Sequence, residues 1–332
     1  MQFRILLNSL EQLDLALEHI SKGDANNARF ALMLTDNALE ISFHHLALDK
    51  QAEIMWRAPN NPYEYTDALN DAVRRHFDAK VRFMKNLKII NDEEAVTINI
   101  FHGFRNEVYH IGLQHERVLP TISRFYLKVA SDILSRQSLA SLTYGVGLKP
   151  PDRVAKYFKN VNSVFPPLPS EYFDACSQIS KKIVFEAAEL AVALAEHMEE
   201  LIDETDISLD TLSRDTPNPC TRDEVIVRCL AWKAAATDEA KEFARLNGCQ
   251  VQGGFAYVDW IAKNYKLPIK KDPIENWRKR KDRLRLEENP HKALKLYRNF
   301  IDETVEIRNE IADSHAAFDR YIDGLIDERR GK

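Results

Sequence analysis

Breakers are scarce in this chain: 10 Gly and 13 Pro in 332 residues. That scarcity argues against a turn-rich β fold and for long helices. Cysteine is almost as rare. The four, Cys176, Cys220, Cys229 and Cys249, form no C-x-x-C pair and have no zinc-spaced His beside them, so neither a disulfide framework nor a metal cluster is expected. No apolar run reaches membrane-spanning length. The opening Met1-Gln2-Phe3-Arg4-Ile5-Leu6-Leu7-Asn8 turns polar too soon for a signal peptide. The expectation is a cytoplasmic protein with no membrane contact. A net charge of −5 also excludes a globally basic nucleic-acid binder.

What is present is helical periodicity. Leu6, Leu10, Leu13, Leu17 and Ile20 recur at steps of four and three, predicting one apolar stripe that ends near Gly23. Asp24 caps a second helix through Ala28, Leu32, Leu39, Phe43 and Leu46. Pro59 and Pro62 mark a loop, and a third helix is expected over 66–87. Asn91 and Asp92, with Glu93 and Glu94, form the acidic start of a fourth, and a fifth follows Pro120. The fold class is therefore all-α, an antiparallel bundle over 1–143. A Pro/Gly-rich linker is placed at 144–170, and a second helical domain at 171–332. Helices there are expected at about 171–204, 222–246, 255–265, 274–286 and 291–327.

Chemistry concentrates in Phe104-Arg105-Asn106-Glu107-Val108-Tyr109-His110. A permanent cation, an amide and an imidazole are what metal-free phosphoryl transfer needs. At about 100° per residue, Phe101, Phe104, Val108 and Ile111 form a buried stripe. Arg105, Asn106 and His110 point away from it, and Asn106 is placed to hydrogen-bond the His110 ring. Arg105 and His110 lie roughly 140° apart, so one straight helix does not bring them onto one atom. A second string, Arg308-Asn309-Glu310 with His315 beyond, keeps Arg308 and His315 within roughly 20° of each other. Asp313 stands where His110 stands in the first string.

The strings resemble the HEPN superfamily, whose pattern is Arg, a polar residue, then His after four to six intervening residues. Four residues separate Arg105 from His110, and six separate Arg308 from His315. The resemblance covers about 1–143 and, beyond that, mainly the second motif, so 171–332 reads as a divergent repeat or a separate helical module. It implies a metal-independent endoribonuclease with no cofactor, cutting RNA by 2′-hydroxyl attack in phage defence or a toxin–antitoxin system. In that scheme Arg105 stabilises the scissile phosphate, His110 is general acid or base, and Asn106 orients them. Two motifs would share one composite site, in a homodimer or within the chain, with Arg308, Asn309 and His315 as the second set. An antitoxin or defence-system protein would be a partner. The alternative is a non-catalytic HEPN-like module that dimerises or binds nucleic acid or nucleotide, and a third reading makes 222–287 a DNA-binding module.

Charge is unevenly placed. From Lys263 to Arg285 ten basic residues face three acids, a local +7 that leaves −12 elsewhere. Trp277 lies within the run. One reading is a solvated helix face offsetting nearby acids. The other is an RNA surface in which Arg278, Lys279, Arg280 and Lys281 track phosphates and Trp277 stacks a base.

Overall fold

A computed structural model of the chain describes residues 3–57, 63–74, 76–110, 116–137, 149–159, 168–251 and 253–331. Among them every regular element is a helix, in the order α1 (Phe3–Ile20), α2 (Ala25–Arg57), α3 (Thr66–Ala72), α4 (Phe77–Asn86), α5 (Asp92–His110), α6 (Leu119–Ser135) and α7 (Asp152–Ala155). There follow α8 (Pro169–Lys182), α9 (Ala187–Arg214), α10 (Arg222–Ala236), α11 (Asp238–Leu246), α12 (Gly254–Asn264), α13 (Ile274–Arg285) and α14 (Pro290–Arg330). None of the described helices is long and apolar enough to cross a membrane. The all-α expectation holds.

Two compact units arise: Met1–Ala193 with Glu287–Lys295, and Leu194–Leu286 with Leu296–Lys332. The unit boundary therefore falls inside α9 and α14, beyond the expected linker at 144–170. The reason is packing. α8, expected in the second domain, lies against α1 and α6 of the first unit, and α7 lies against α1. Residues 144–148 and 160–167 of the expected linker, like 138–143 before it and Pro59 and Pro62, are outside the described residues.

In the first unit α1 and α2 form an antiparallel hairpin. Its pairs run in opposite directions along the two helices: Ser9 with Ser42, Gln12 with Asn37 at 2.7 Å, His19 with Asn27 at 2.7 Å. The turn needs Gly23, whose φ of 78° is left-handed. Asp24 Oδ1 accepts from the Asn27 backbone N–H at 2.9 Å, the expected N-cap. The α1 stripe at Leu6, Leu10 and Leu13 is buried, each side chain contributing about 1.5–3 kcal/mol of transfer free energy. Asn91 and Glu94 cap α5 reciprocally, each side chain accepting from the other's backbone N–H at 2.9 Å.

Three expected helices are each two. The 66–87 segment breaks between α3 and α4. The 171–204 segment breaks at Ile183, whose φ and ψ of −82° and 111° are extended. The 222–246 segment breaks at Thr237, which turns extended and accepts from the Ala240 N–H at 3.2 Å to start α11.

A buried carboxylate ties α7 to α1. Asp14, 4% exposed, accepts from Lys156 Nζ at 2.7 Å, from Arg153 Nη1 at 3.3 Å and from Tyr157 Oη at 2.5 Å. Burial alone would raise its pKa, but hydrogen bonds from Lys156, Tyr157 and Arg153 together hold it below the ordinary value. A depressed folded value means the tether contributes fully above the ordinary carboxylate range and is lost as pH falls through that range. Asp14→Asn should cost about 1.5–3 kcal/mol at neutral pH. In urea melts the gap between wild type and variant should close on acidification, and a gap constant with pH would refute the tether.

Candidate functional site

α5 carries the first motif, and its apolar stripe is as the spacing predicts: Phe101, Phe104 and Val108 are buried. Arg105 is not simply turned to solvent. Its side chain is 32% exposed and lies along α2, with Nε 3.8 Å from Asp36 Oδ2. Its Nη1 donates to Asn106 Oδ1 at 2.9 Å, and its guanidinium sits 5.6 Å from the Tyr109 ring centroid. Asn106 thus orients the arginine through its carbonyl. His110 is the last residue of α5, and its side chain is outside the described residues.

Asp36 is the centre of the site. It is fully buried, yet an isolated buried carboxylate would be prohibitively costly. Two helices, α5 and α6, satisfy it. Tyr126 of α6 donates to Oδ1 at 2.7 Å, His102 of α5 meets Oδ2 through Nδ1 at 2.9 Å, and Arg105 supplies the charge. Burial first, then the Asp36 charge, pushes the Tyr126 phenol well above its ordinary pKa, so it remains a proton donor to the carboxylate. The His102 ring stacks on Phe77 of α4 with centroids 4.0 Å apart and planes 17° off parallel. One turn along α2, Glu40 pairs with Lys80 at 3.4 Å.

Asp36, Glu40 and His102 bring three ligand-type atoms within 4.8 Å of one another, a cation-site spacing. The donor set fits a divalent ion poorly. Lys80 and Arg105 already neutralise the two carboxylates, and the His102 nitrogen nearest the cluster is engaged by Asp36. Sequence reasoning missed Asp36, Glu40, His102 and Tyr126. The available signal was the i, i+3 pair His102/Arg105 and the i, i+4 pair Asp36/Glu40, each sharing one helix face.

The second motif is less convergent. Arg308 donates from Nε to Thr304 Oγ1 at 3.1 Å, back toward the preceding turn, as helical side chains lean. Burial pushes its guanidinium below the ordinary pKa, with Tyr297 and Glu204 opposing. His315 Nδ1 meets Ser208 Oγ of α9 at 3.0 Å, and Asn309 is exposed. Shared facing does not unite them: no hydrogen bond or ion pair joins Arg308 to His315.

Residues 277–281 of the basic run form a core-and-pairing element. Trp277 is 3% exposed and packs edge-on against Phe300 at 5.8 Å, so it presents no face for a base. Arg278 pairs with Asp206 at 2.6 Å and Asp203 at 3.3 Å, and Lys281 with Glu199 at 3.0 Å. Arg280 pairs with Glu303 at 2.9 Å, and Lys279 with Glu275 at 2.7 Å. Burial corrects the stacking role expected of Trp277, and the pairing of Arg278 and Lys281 with acids of α9 favours the charge-offsetting reading for these residues.

A cavity of about 610 Å³ opens between α10, α11 and α12, lined by Trp232, Ala236, Ala244, Val258 and Tyr257 among others. The Tyr257 hydroxyl is buried with no hydrogen-bond partner. No protein-family model, curated protein or solved structure matches the chain.

Proposed function

We propose that the protein is a metal-independent endoribonuclease of the HEPN type, acting in the cytoplasm in phage defence or a toxin–antitoxin system. The observation that carries the reading is a half-exposed arginine held between a buried carboxylate and an amide. Such an arginine is oriented before substrate arrives, so little reorganisation is needed when phosphate charge develops. In the reaction, the ribose 2′-oxygen attacks the adjacent phosphorus and the bond to the 5′-oxygen breaks, leaving a 2′,3′-cyclic phosphate and a 5′-hydroxyl. Arg105 stabilises the phosphorane charge, and His110 transfers a proton. The angular separation of Arg105 and His110 supports completion of the site by a second motif, from this chain or a second copy. Purified protein should cut RNA in EDTA, and His110→Ala should lower the rate about 10²–10⁴-fold. Full activity in that variant would remove His110 from the mechanism.

The unit-2 cavity favours a second reading, a module that binds a small ligand without cutting RNA. Its volume lies within the range of small-molecule pockets, and a buried hydroxyl without a partner is a ready contact for one. A nucleotide panel should then raise the melting temperature of wild type and not of Ala236→Trp, a substitution that fills the hollow. Equal shifts in both proteins would exclude the cavity as the site.

A further inference from the structure

The proton of the attacking 2′-hydroxyl needs an acceptor near Arg105, and the helix gives that place to a residue outside the motif. His102 precedes Arg105 by three residues, roughly 60° away on the α5 surface, whereas His110 is roughly 140° away. We propose that His102, oriented by Asp36, is the base that takes the proton from the attacking 2′-hydroxyl. The inference rests on the endoribonuclease reading and deepens it.

Four observations converge. First, an ionised carboxylate only accepts hydrogen bonds, so Asp36 Oδ2, 2.9 Å from Nδ1, places the ring proton on Nδ1. The neutral imidazole then carries its lone pair on Nε2, the nitrogen that Asp36 does not engage. Second, the dyad is rigid. Tyr126 fixes Asp36 from the other side at 2.7 Å, and Phe77 fixes the ring plane by stacking. Third, the His102 side chain remains 23% exposed while Asp36 is 1% exposed, so substrate reaches the imidazole and not the carboxylate. Fourth, Arg105 lies 3.8 Å from the same Oδ2 that orients His102. One buried oxygen therefore positions both the phosphate-binding cation and the base.

Charge supports the assignment. His102 lies beside Asp36 and Glu40 of α2, and these acids are met in turn by Lys80 of α4, Arg105 of α5 and Tyr126 of α6, two acids against two bases with a phenol. When Nε2 accepts the 2′-proton, Asp36 stabilises the imidazolium that forms. The bond from the 2′-oxygen to phosphorus forms as the bond to the 5′-oxygen breaks. That oxygen takes a proton from His110, and no oxidant or further reactant is consumed.

The bland role for His102 is to satisfy Asp36, and the test separates the two. His102→Asn keeps an N–H for Asp36 but moves no proton. The probes are a mixed-sequence single-stranded oligoribonucleotide and bulk tRNA, with EDTA, on the full chain. We expect His102→Asn to melt like wild type and to lose about 10²–10⁴-fold in kcat with KM little changed. Imidazole in the buffer should partly restore His102→Ala. A 5′-thio leaving group, which needs no protonation, should restore His110→Ala and leave His102→Asn impaired. If Arg105→Ala abolishes cleavage but His102→Asn keeps wild-type kcat, the base assignment is overturned and the endoribonuclease reading stands. If wild type shows no cleavage sensitive to Arg105→Ala, both fall.

Discussion

Arg105→Ala should abolish EDTA-resistant RNA cleavage while leaving the fold intact. Loss of an arginine that stabilises phosphoryl-transfer charge costs about 10³–10⁵ in rate. The structural cost should be moderate: Asp36 keeps its hydrogen bonds from Tyr126 and His102. It loses the cation that pairs with it, and a buried carboxylate left uncompensated costs up to about 3–5 kcal/mol. Single-turnover cleavage beside a thermal melt separates the two effects. Arg105→Lys should recover little, since an ammonium does not reproduce a planar fork that reaches Asn106 and Asp36 together. Wild-type rates in either variant would remove Arg105 from the chemistry.

Trp277→Ala should be the most destabilising change in the basic run, at about 3–5 kcal/mol for an aromatic truncated in a packed core. It should also leave RNA affinity unchanged once measured on the folded fraction. The prediction follows from a side chain 3% exposed and edge-on to Phe300. Arg280 adds to the same cluster, with its guanidinium 5.5 Å from the Phe300 centroid. Urea denaturation and RNA titration at two salt concentrations give both readouts. A variant that melts like wild type but binds RNA less tightly would restore the stacking surface and refute the core assignment.

Much of the fold was legible because helices announce themselves locally. The Leu6, Leu10, Leu13 stripe, the Asp24 cap and the Asn91/Glu94 box all act within one or two turns. The missed helix breaks have their own physical reason: neither Ile183 nor Thr237 is a glycine or proline. At Thr237 a signal existed, since a Thr followed by Asp238 and Glu239 is a helix start. At Ile183 the run Ile183-Val184-Phe185 is β-branched and aromatic, so weakly helical, a signal fainter than a glycine or proline.

The sequence by itself determined the all-α class, the buried face of α5 and the place of Arg105 beside that face, since each depends on the 3.6-residue period. Only the tertiary structure decided what Arg105 meets. Asp36, His102 and Tyr126 come from three helices, with Tyr126 lying 90 residues from Asp36 along the chain. Likewise it decided that acids of α9 pair with Arg278 and Lys281 of α13, tracts the sequence shows only as separate charges. Periodicity fixes which face a residue occupies, but a buried charge is admitted only where other helices supply its partners.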